Sequence, residues 1–309
     1  MTNYAKLSGK PKQFHALTGS TIEEFEALLP KFEQRFMDYI QEYTLTGKKR
    51  KNRRFVEYRN SPLPTSADKL VFLLTYLRKA VTQDILGAVF QMSQSVANKW
   101  IHILLPCLNE ALAQLGELPV RAAPALALPN APSQVFFQDG AERPIQRPKE
   151  KEAQRTYYSG KKKRHTVKNN VLVTEEAKIC LLTPTCEGKK HDKKVSDEAA
   201  FSLPEGSYLY QDTGFQGFAL AGVAIIQPKK KPRGKELTDE DKENNRAIAR
   251  IRIRVEHAIC GVKRYRIVKD QLRNWKKGFR DQVMETCCGL HNFRLNFRPW
   301  HYDPIPIKS

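Results

Sequence analysis

Acidic residues are the scarce class in this sequence. Only 33 aspartates and glutamates stand against 53 lysines and arginines, which leaves a net charge of +20. Long apolar runs are missing too. No stretch approaches the ~18–20 residues that span a bilayer, and the first residues, MTNYAKLSGK, contain no hydrophobic secretory core. Neither a membrane protein nor a secreted one is expected, and the cytoplasm is the expected location. Cysteine is sparse: six residues (Cys107, Cys180, Cys186, Cys260, Cys287, Cys288) with no regular framework, read as reduced thiols. Two Cys/His groupings, Cys180–Cys186–His191 and Cys287–Cys288–His291, lack the paired spacing of a zinc site. No glycine precedes a Gly-Lys pair by five residues, so there is no phosphate-binding loop and no basis for ATP use.

What is present is positive charge, and it comes in runs. Lys48–Arg59 holds seven basic residues and one acid, and Arg143–Lys168 holds ten and two. Lys229–Lys235 adds five with no acid, and Arg246–Arg266 seven with Glu256 alone. One such run is an ordinary solvated face. Four in separate parts of a chain imply an extended basic surface, and the usual partner of such a surface is nucleic acid. A DNA-bound protein of this kind is expected with the nucleoid.

The texture of the chain changes along its length. Residues 20 to 115 read as helical: Ser20-Thr21-Ile22-Glu23 is a capping signature, and Phe25, Leu28, Leu29, Phe32 and Phe36 follow at helical spacing. Thr65 or Ser66 can cap a second apolar helix through Leu70, Leu73, Leu74 and Leu77. Thr82–Phe90, the turn Gln91-Met92-Ser93 and the helix opening at Ser95–Ile101 then have the layout of a helix-turn-helix. Its second helix would present Gln94, Ser95, Asn98 and Lys99 outward. A Pro/Ala-rich stretch, 116–132, separates this all-α region (1–115) from the rest (133–309). Beyond it, five short β-branched or aromatic runs read as strands: Val135–Phe137, Arg164–Val173, Lys178–Leu182, Tyr208–Tyr210 and Val223–Ile226. Helices are expected over Asp192–Ala200 and about Asp239–Tyr265, which makes a mixed α/β domain around a central sheet.

A surface that binds phosphates should exclude carboxylates, so an acid inside a basic stretch is informative. Asp139 (Gln138-Asp139-Gly140) and Asp212 (Gln211-Asp212-Thr213-Gly214) each follow an expected strand and precede a glycine. Strand ends of this kind are where sites gather in open α/β sheets. Taken singly, Asp-Gly is a common turn dipeptide. Glu256 is the third, alone on the long basic helix. On that helix Ile248, Ile251, Val255, Ile259 and Val262 form one stripe, and Arg252, Glu256 and Lys263 lie within ~40° of one another beside it. The bland reading is a surface ion pair between Arg252 and Glu256. The sharper one has three carboxylates converging on Mg²⁺ or Mn²⁺, two ions of which could act on a phosphodiester.

From Asp139 onward the sequence resembles DDE-type transposases of bacterial insertion sequences, close to the insertion-sequence-five group and related to Harbinger transposases. The residues that carry the resemblance are Gln138–Ile145, Tyr158–His165, His191-Asp192-Lys193, Asp212–Gly217 and Arg254–Ile259. The region Ser66–Leu112 resembles the helix-turn-helix that often precedes such domains. The resemblance implies a ribonuclease-H-like fold with Asp139, Asp212 and Glu256 as catalytic metal ligands. It also implies a Tyr-Arg-Glu-Lys signature, of which Arg252, Glu256 and Lys263 are present and the tyrosine position is Ala249. Lys161, Lys162, Lys163 and Arg164 are expected to join Arg252 and Lys263 in gripping DNA. The expected protein binds terminal inverted repeats, cuts and joins DNA with two Mg²⁺ or Mn²⁺ ions, and assembles as a homo-oligomer on double-stranded DNA. Its rivals are a nuclease that cuts without joining and a non-catalytic, domesticated DNA-binding protein.

Overall fold

Threonine and serine hydroxyls start most of the N-terminal helices. The computed structural model describes residues 2–51, 54–57, 60–121 and 134–305. Within them α1 (Tyr4–Ser8) and α2 (Pro11–Thr18) lead into α3 (Ile22–Glu42), α4 (Ser66–Lys79), α5 (Gln83–Phe90) and α6 (Gln94–Gln114). Thr21 and Thr65 each close a capping box, with Glu24 and Asp68 respectively, while Thr82 caps α5 and Ser93 caps α6. The later elements are β1 (Val135–Pro144), α7 (Lys151–Tyr157), β2 (Tyr158–Ser159), β3 (Arg164–Thr174), β4 (Ile179–Leu182), β5 (Cys186–Glu187) and α8 (Asp192–Ala199). They are followed by β6 (Tyr208–Tyr210), β7 (Ala224–Ile226), α9 (Asp239–Lys263) and α10 (Phe279–Leu295).

The chain forms two compact units. The first comprises Met1–Leu118 and Lys263–Phe297. Its core is built from Phe25, Phe32 and Phe36 of α3, the buried face of α4, Leu86 and Phe90 of α5, and Ile101, Leu104 and Leu108 of α6. α10 packs along α6, burying Val283, Cys287 and Leu290. This differs from the expectation of one continuous domain over 133–309. An amphipathic helix signals that it will be buried but not against what, and α10 finds its partner in α6. Most of the expected linker, 122–132, lies outside the described residues.

The second unit comprises Pro119–Val262 and Arg298–Ser309. Its sheet places β1 at the centre. β3 runs antiparallel to β1, β4 runs antiparallel to β3, β6 runs parallel to β1, and β7 runs parallel to β6. All five expected strands are present, and the two-residue strands β2 and β5 add to β3. The order and directions are those of the ribonuclease-H-like fold that the sequence led us to expect. One sheet face packs Phe136, Leu172, Leu181 and Leu209 against Phe201, Phe215 and Phe218. β1 is longer than expected because its polar second half, Gln138–Pro144, pairs with β3 as fully as its apolar first half. On α9, Val255, Ile259 and Val262 are buried as the stripe requires. Ile248 and Ile251 are only partly covered, and no residue of the first half of the helix is buried.

Candidate active site and DNA-binding elements

Register brings the two aspartates side by side. The parallel ladder between β1 and β6 pairs Phe136 with Leu209 and ends at Phe137 opposite Tyr210. Asp139 and Asp212 each lie two residues beyond that last pair. The two are near enough for the charge of Asp212 to act on Asp139. Asp139 lies inside β1 rather than at its end, Asp212 lies beyond the end of β6, and each carboxylate accepts from a nearby main-chain amide. Gly140 N–H donates to Asp139 Oδ1 at 2.7 Å, and Gly214 N–H donates to Asp212 Oδ1 at 2.8 Å.

Burial pushes the Asp139 carboxyl up to about 6, and the charges of Asp212 and Asp192 add to the rise. The Gly140 hydrogen bond and the Arg252 guanidinium pull the other way. Three carboxylates, Asp139, Asp212 and Asp192, thus lie near the cations Arg252 and Lys168. Hard carboxylate oxygens in that situation suit a small divalent cation.

The sequence reading did not assign a place to Asp192, the first residue of α8. A Cβ at Gly140 would lie 2.6 Å from Asp192 Oδ1, and one at Gly214 would lie 3.2 Å from Asp192 Oδ2. The Asp192 carboxylate thus sits behind both glycines, in the space that their missing side chains leave open. Lys168 Nζ holds it at 2.9 Å, and Asn170 Nδ2 donates to its main-chain carbonyl at 2.7 Å. Nearby, Gln138 and Asn170 both donate to Ser196 Oγ of α8 at 2.8 Å, and Gln211 donates to Gln138. Gln138, Asn170 and Gln211 are fully buried. Gln138 thereby ties β1 to α8, and Gln211 ties the end of β6 to β1.

Glu256 is placed differently from the aspartates. It is exposed on α9, between the buried Val255 and Ala258. Among the described residues no group of three His, Cys, Asp or Glu side chains could hold a metal ion. Arg252 lies one helical turn before Glu256 on the same face, and its charge reaches Asp139. The Arg252 Nε is buried and has no hydrogen-bond partner. Among the described residues no Arg252–Glu256 ion pair occurs; the helix is tied instead by Arg254, which bonds Glu175 Oε1 at 3.0 Å. His257 is also engaged, stacked on Trp300 at 4.8 Å and 3.0 Å from the Tyr302 hydroxyl. Lys263 is the half-buried last residue of α9. Lys161, Lys162, Lys163 and Arg164 form an exposed hairpin turn between β2 and β3, with Lys163 in the left-handed region (φ 53°). Lys168, from the same basic run, is buried against Asp192.

In the first unit the expected helix-turn-helix is α5 and α6. Gln91 ends α5 in the left-handed region (φ 56°). A Cβ at Gly87 would come within 2.5 Å of the Met92 carbonyl, so only glycine allows so close a turn. Gln94, Ser95 and Lys99 are exposed and Asn98 half-buried. Gln83 Oε1 accepts from the side-chain amides of both Gln94 and Asn98, which fixes the orientation of two side chains suited to reading bases. Of the two Cys/His groupings, Cys287, Cys288 and His291 are buried along α10, and Cys180 and Cys186 each donate to a main-chain carbonyl.

Two family models match the chain. Residues 138–292 match the family model described as DDE superfamily endonuclease, and residues 61–114 match the helix-turn-helix of DDE superfamily endonuclease. A protein of Microchaete diplosiphon named "Probable transposase for insertion sequence element IS702" is 28% identical over 234 residues. That alignment covers 74% of this chain and 80% of the relative. No solved structure matches the chain.

Proposed function

The chain belongs to the DDE superfamily endonucleases, and from that premise we propose that it is the transposase of a bacterial insertion sequence. In this reading α5 and α6 bind the element's terminal inverted repeats, and the second unit cleaves the DNA ends and joins them to target DNA. The carrying observation is the shared register of β1 and β6, which sets Asp139 beside Asp212 where burial disfavours the charge on Asp139.

Asp139 and Asp212 would hold the ions, with Glu256 as the third carboxylate. The support for Glu256 is that Arg252, on the same face of α9, is felt by Asp139. Two Mg²⁺ or Mn²⁺ ions would supply an activated water or 3′-hydroxyl and a neutralised leaving oxygen. The chain's own contribution is orientation. The Gly140 and Gly214 amides aim one oxygen of each aspartate and leave the other open. Asp192, held by Lys168, packs against both glycines. Arg252, with its buried Nε unpartnered, is suited to grip a phosphate, and Lys161–Arg164 and Lys263 would hold the duplex alongside. Assembly of more than one copy on the DNA follows from the need to handle two element ends.

A strand-transfer assay tests this reading. The full chain is mixed with a pre-cleaved duplex bearing the DNA that flanks its coding region, with plasmid target and Mg²⁺. Joined products, lost in Asp139→Asn and Asp212→Asn, are expected. Cleavage of intact ends with no joining of pre-cleaved ones would leave a nuclease; no metal-dependent product from either substrate would leave a DNA-binding protein.

A further inference from the structure

The segment after α9 returns to the first unit and builds one wall of a cleft beside the helix-turn-helix. The cleft has a volume of about 340 Å³. Gln83, Gln94 and Asn98 line it from α5 and α6, and Gln271, Arg273 and Trp275 line it from the returning segment. That segment is extended and alternates: Leu272 and Asn274 are buried, while Gln271, Arg273 and Trp275 are exposed. Asn274 anchors it, 3.4 Å from His102 of α6 and accepting from the Lys276 amide at 2.9 Å. Trp275 is 54% exposed, and the Arg280 guanidinium lies 4.7 Å from its ring centre. Residues 269–280 hold Lys269, Arg273, Lys276, Lys277 and Arg280 with one acid, Asp270, which Arg266 pairs at 2.8 Å; Asp281 follows them, and Asp84 of α5 is the acid that lines the cleft.

We propose that Gln271–Lys277 is a second DNA-contacting element, which grips the sugar–phosphate backbone of the duplex beside the bases read by α6. This rests on the reading of α6 as a base-reading helix. A helix that inserts its first turn in the major groove brings whatever flanks that turn against the adjoining phosphates. Here the flank is a basic comb with an outward-facing tryptophan, held on a buried backbone. Phosphate contacts position a protein on DNA and carry most of the salt dependence. The exposed ring of Trp275 covers sugar or base surface. The helix-turn-helix and this strap would then hold the duplex as two sides of one grip, with α6 supplying sequence preference and the strap supplying affinity.

The test uses the full chain, fluorescence anisotropy and a random-sequence duplex of about 30 base pairs, three helical turns. Arg273→Ala/Lys276→Ala/Lys277→Ala should lower the slope of log K against log salt by about 2–3, at ~0.9 per lost phosphate contact. Gln94→Ala/Asn98→Ala should leave that slope unchanged while removing preference for the element's ends. If the second pair of substitutions kept that preference, the reading of α6 would fail, and the slope comparison would still judge the strap. Independently, adding duplex should change tryptophan fluorescence in the wild type and not in Trp275→Phe. An unchanged slope in the triple variant with unchanged melting, or a fluorescence response that survives Trp275→Phe, would overturn the proposal. A response to single strands but not to the duplex would overturn it too.

Discussion

Asp139 holds a negative charge where the fold disfavours it, and that has measurable consequences without any DNA present. Its carboxyl ionises at about 6 rather than 3.8, first because of burial. Between those values the folded protein binds more protons than the unfolded chain, so stability falls as pH rises through the window and stays low above it. Asp139→Asn should therefore melt higher than the wild type at pH 8, by about 1–3 kcal/mol, and lose that advantage below about pH 4. Melting curves in chelator check this; a variant no more stable at pH 8 contradicts it. Mn²⁺ must compete with the same proton, so its affinity should weaken by about tenfold per pH unit below about 6. The neighbouring glycines make a second case. Gly140→Ala places a Cβ 2.6 Å from Asp192 Oδ1; overpacking of this kind costs about 1–3 kcal/mol. Asp192→Ala should relieve the clash, so the double variant should lose less than the two single losses combined. Strict additivity in denaturant melts would show that Asp192 does not fill that space. Asp192 was legible by the criterion that marked Glu256, an acid alone among Lys189, Lys190, Lys193 and Lys194. What the sequence could not show is its position behind two glycines distant in the chain.

Elements that are defined by local chemistry were easy to read. Thr21, Thr65, Thr82 and Ser93 cap helices because a hydroxyl at that position satisfies an amide of the first turn. The five strands were marked by β-branched and aromatic runs. The polar half of β1 was not, because Arg143 is buried by pairing with Asn169 and Thr185 across the sheet rather than by hydrophobicity. The turn of the helix-turn-helix depends on a single missing methyl group. Gly87→Ala would press a Cβ on the Met92 carbonyl, and backbone cannot swing away as a side chain can. We expect a loss of about 1–3 kcal/mol, with weaker preference for the element's ends because the first turn of α6 shifts. Denaturant melts and competition binding would show it; a variant with wild-type stability and preference would mean that the turn is looser than its geometry.

On the scale of the whole chain, the first unit is closed by a segment from the far end of the sequence. Leu112 and Leu118 lie against Gly289 of α10, and Asn292 donates to the Glu117 carbonyl at 2.9 Å. A fragment ending at residue 118 would expose the face of α6 that α10 covers, so we expect it to aggregate or to lack a cooperative melt. Adding 263–297 through a flexible linker should restore one; a sharply melting 1–118 fragment would show that α10 is dispensable. No hydrophobic pattern foretells such a return, because pattern specifies that a face is buried and not which partner buries it. The same holds for the proposed catalytic trio, where register aligns the two aspartates and the place of Glu256 rests on the face it shares with Arg252. The most direct measurement is therefore the cleavage rate of element-end duplex in Mg²⁺ for Glu256→Gln, with DNA affinity measured on the same samples. If Glu256 completes the ion site, the rate should fall by about a thousandfold, the equivalent of several kcal/mol, while affinity stays the same or rises slightly. Cleavage at the wild-type rate by a variant that binds DNA normally would contradict the assignment.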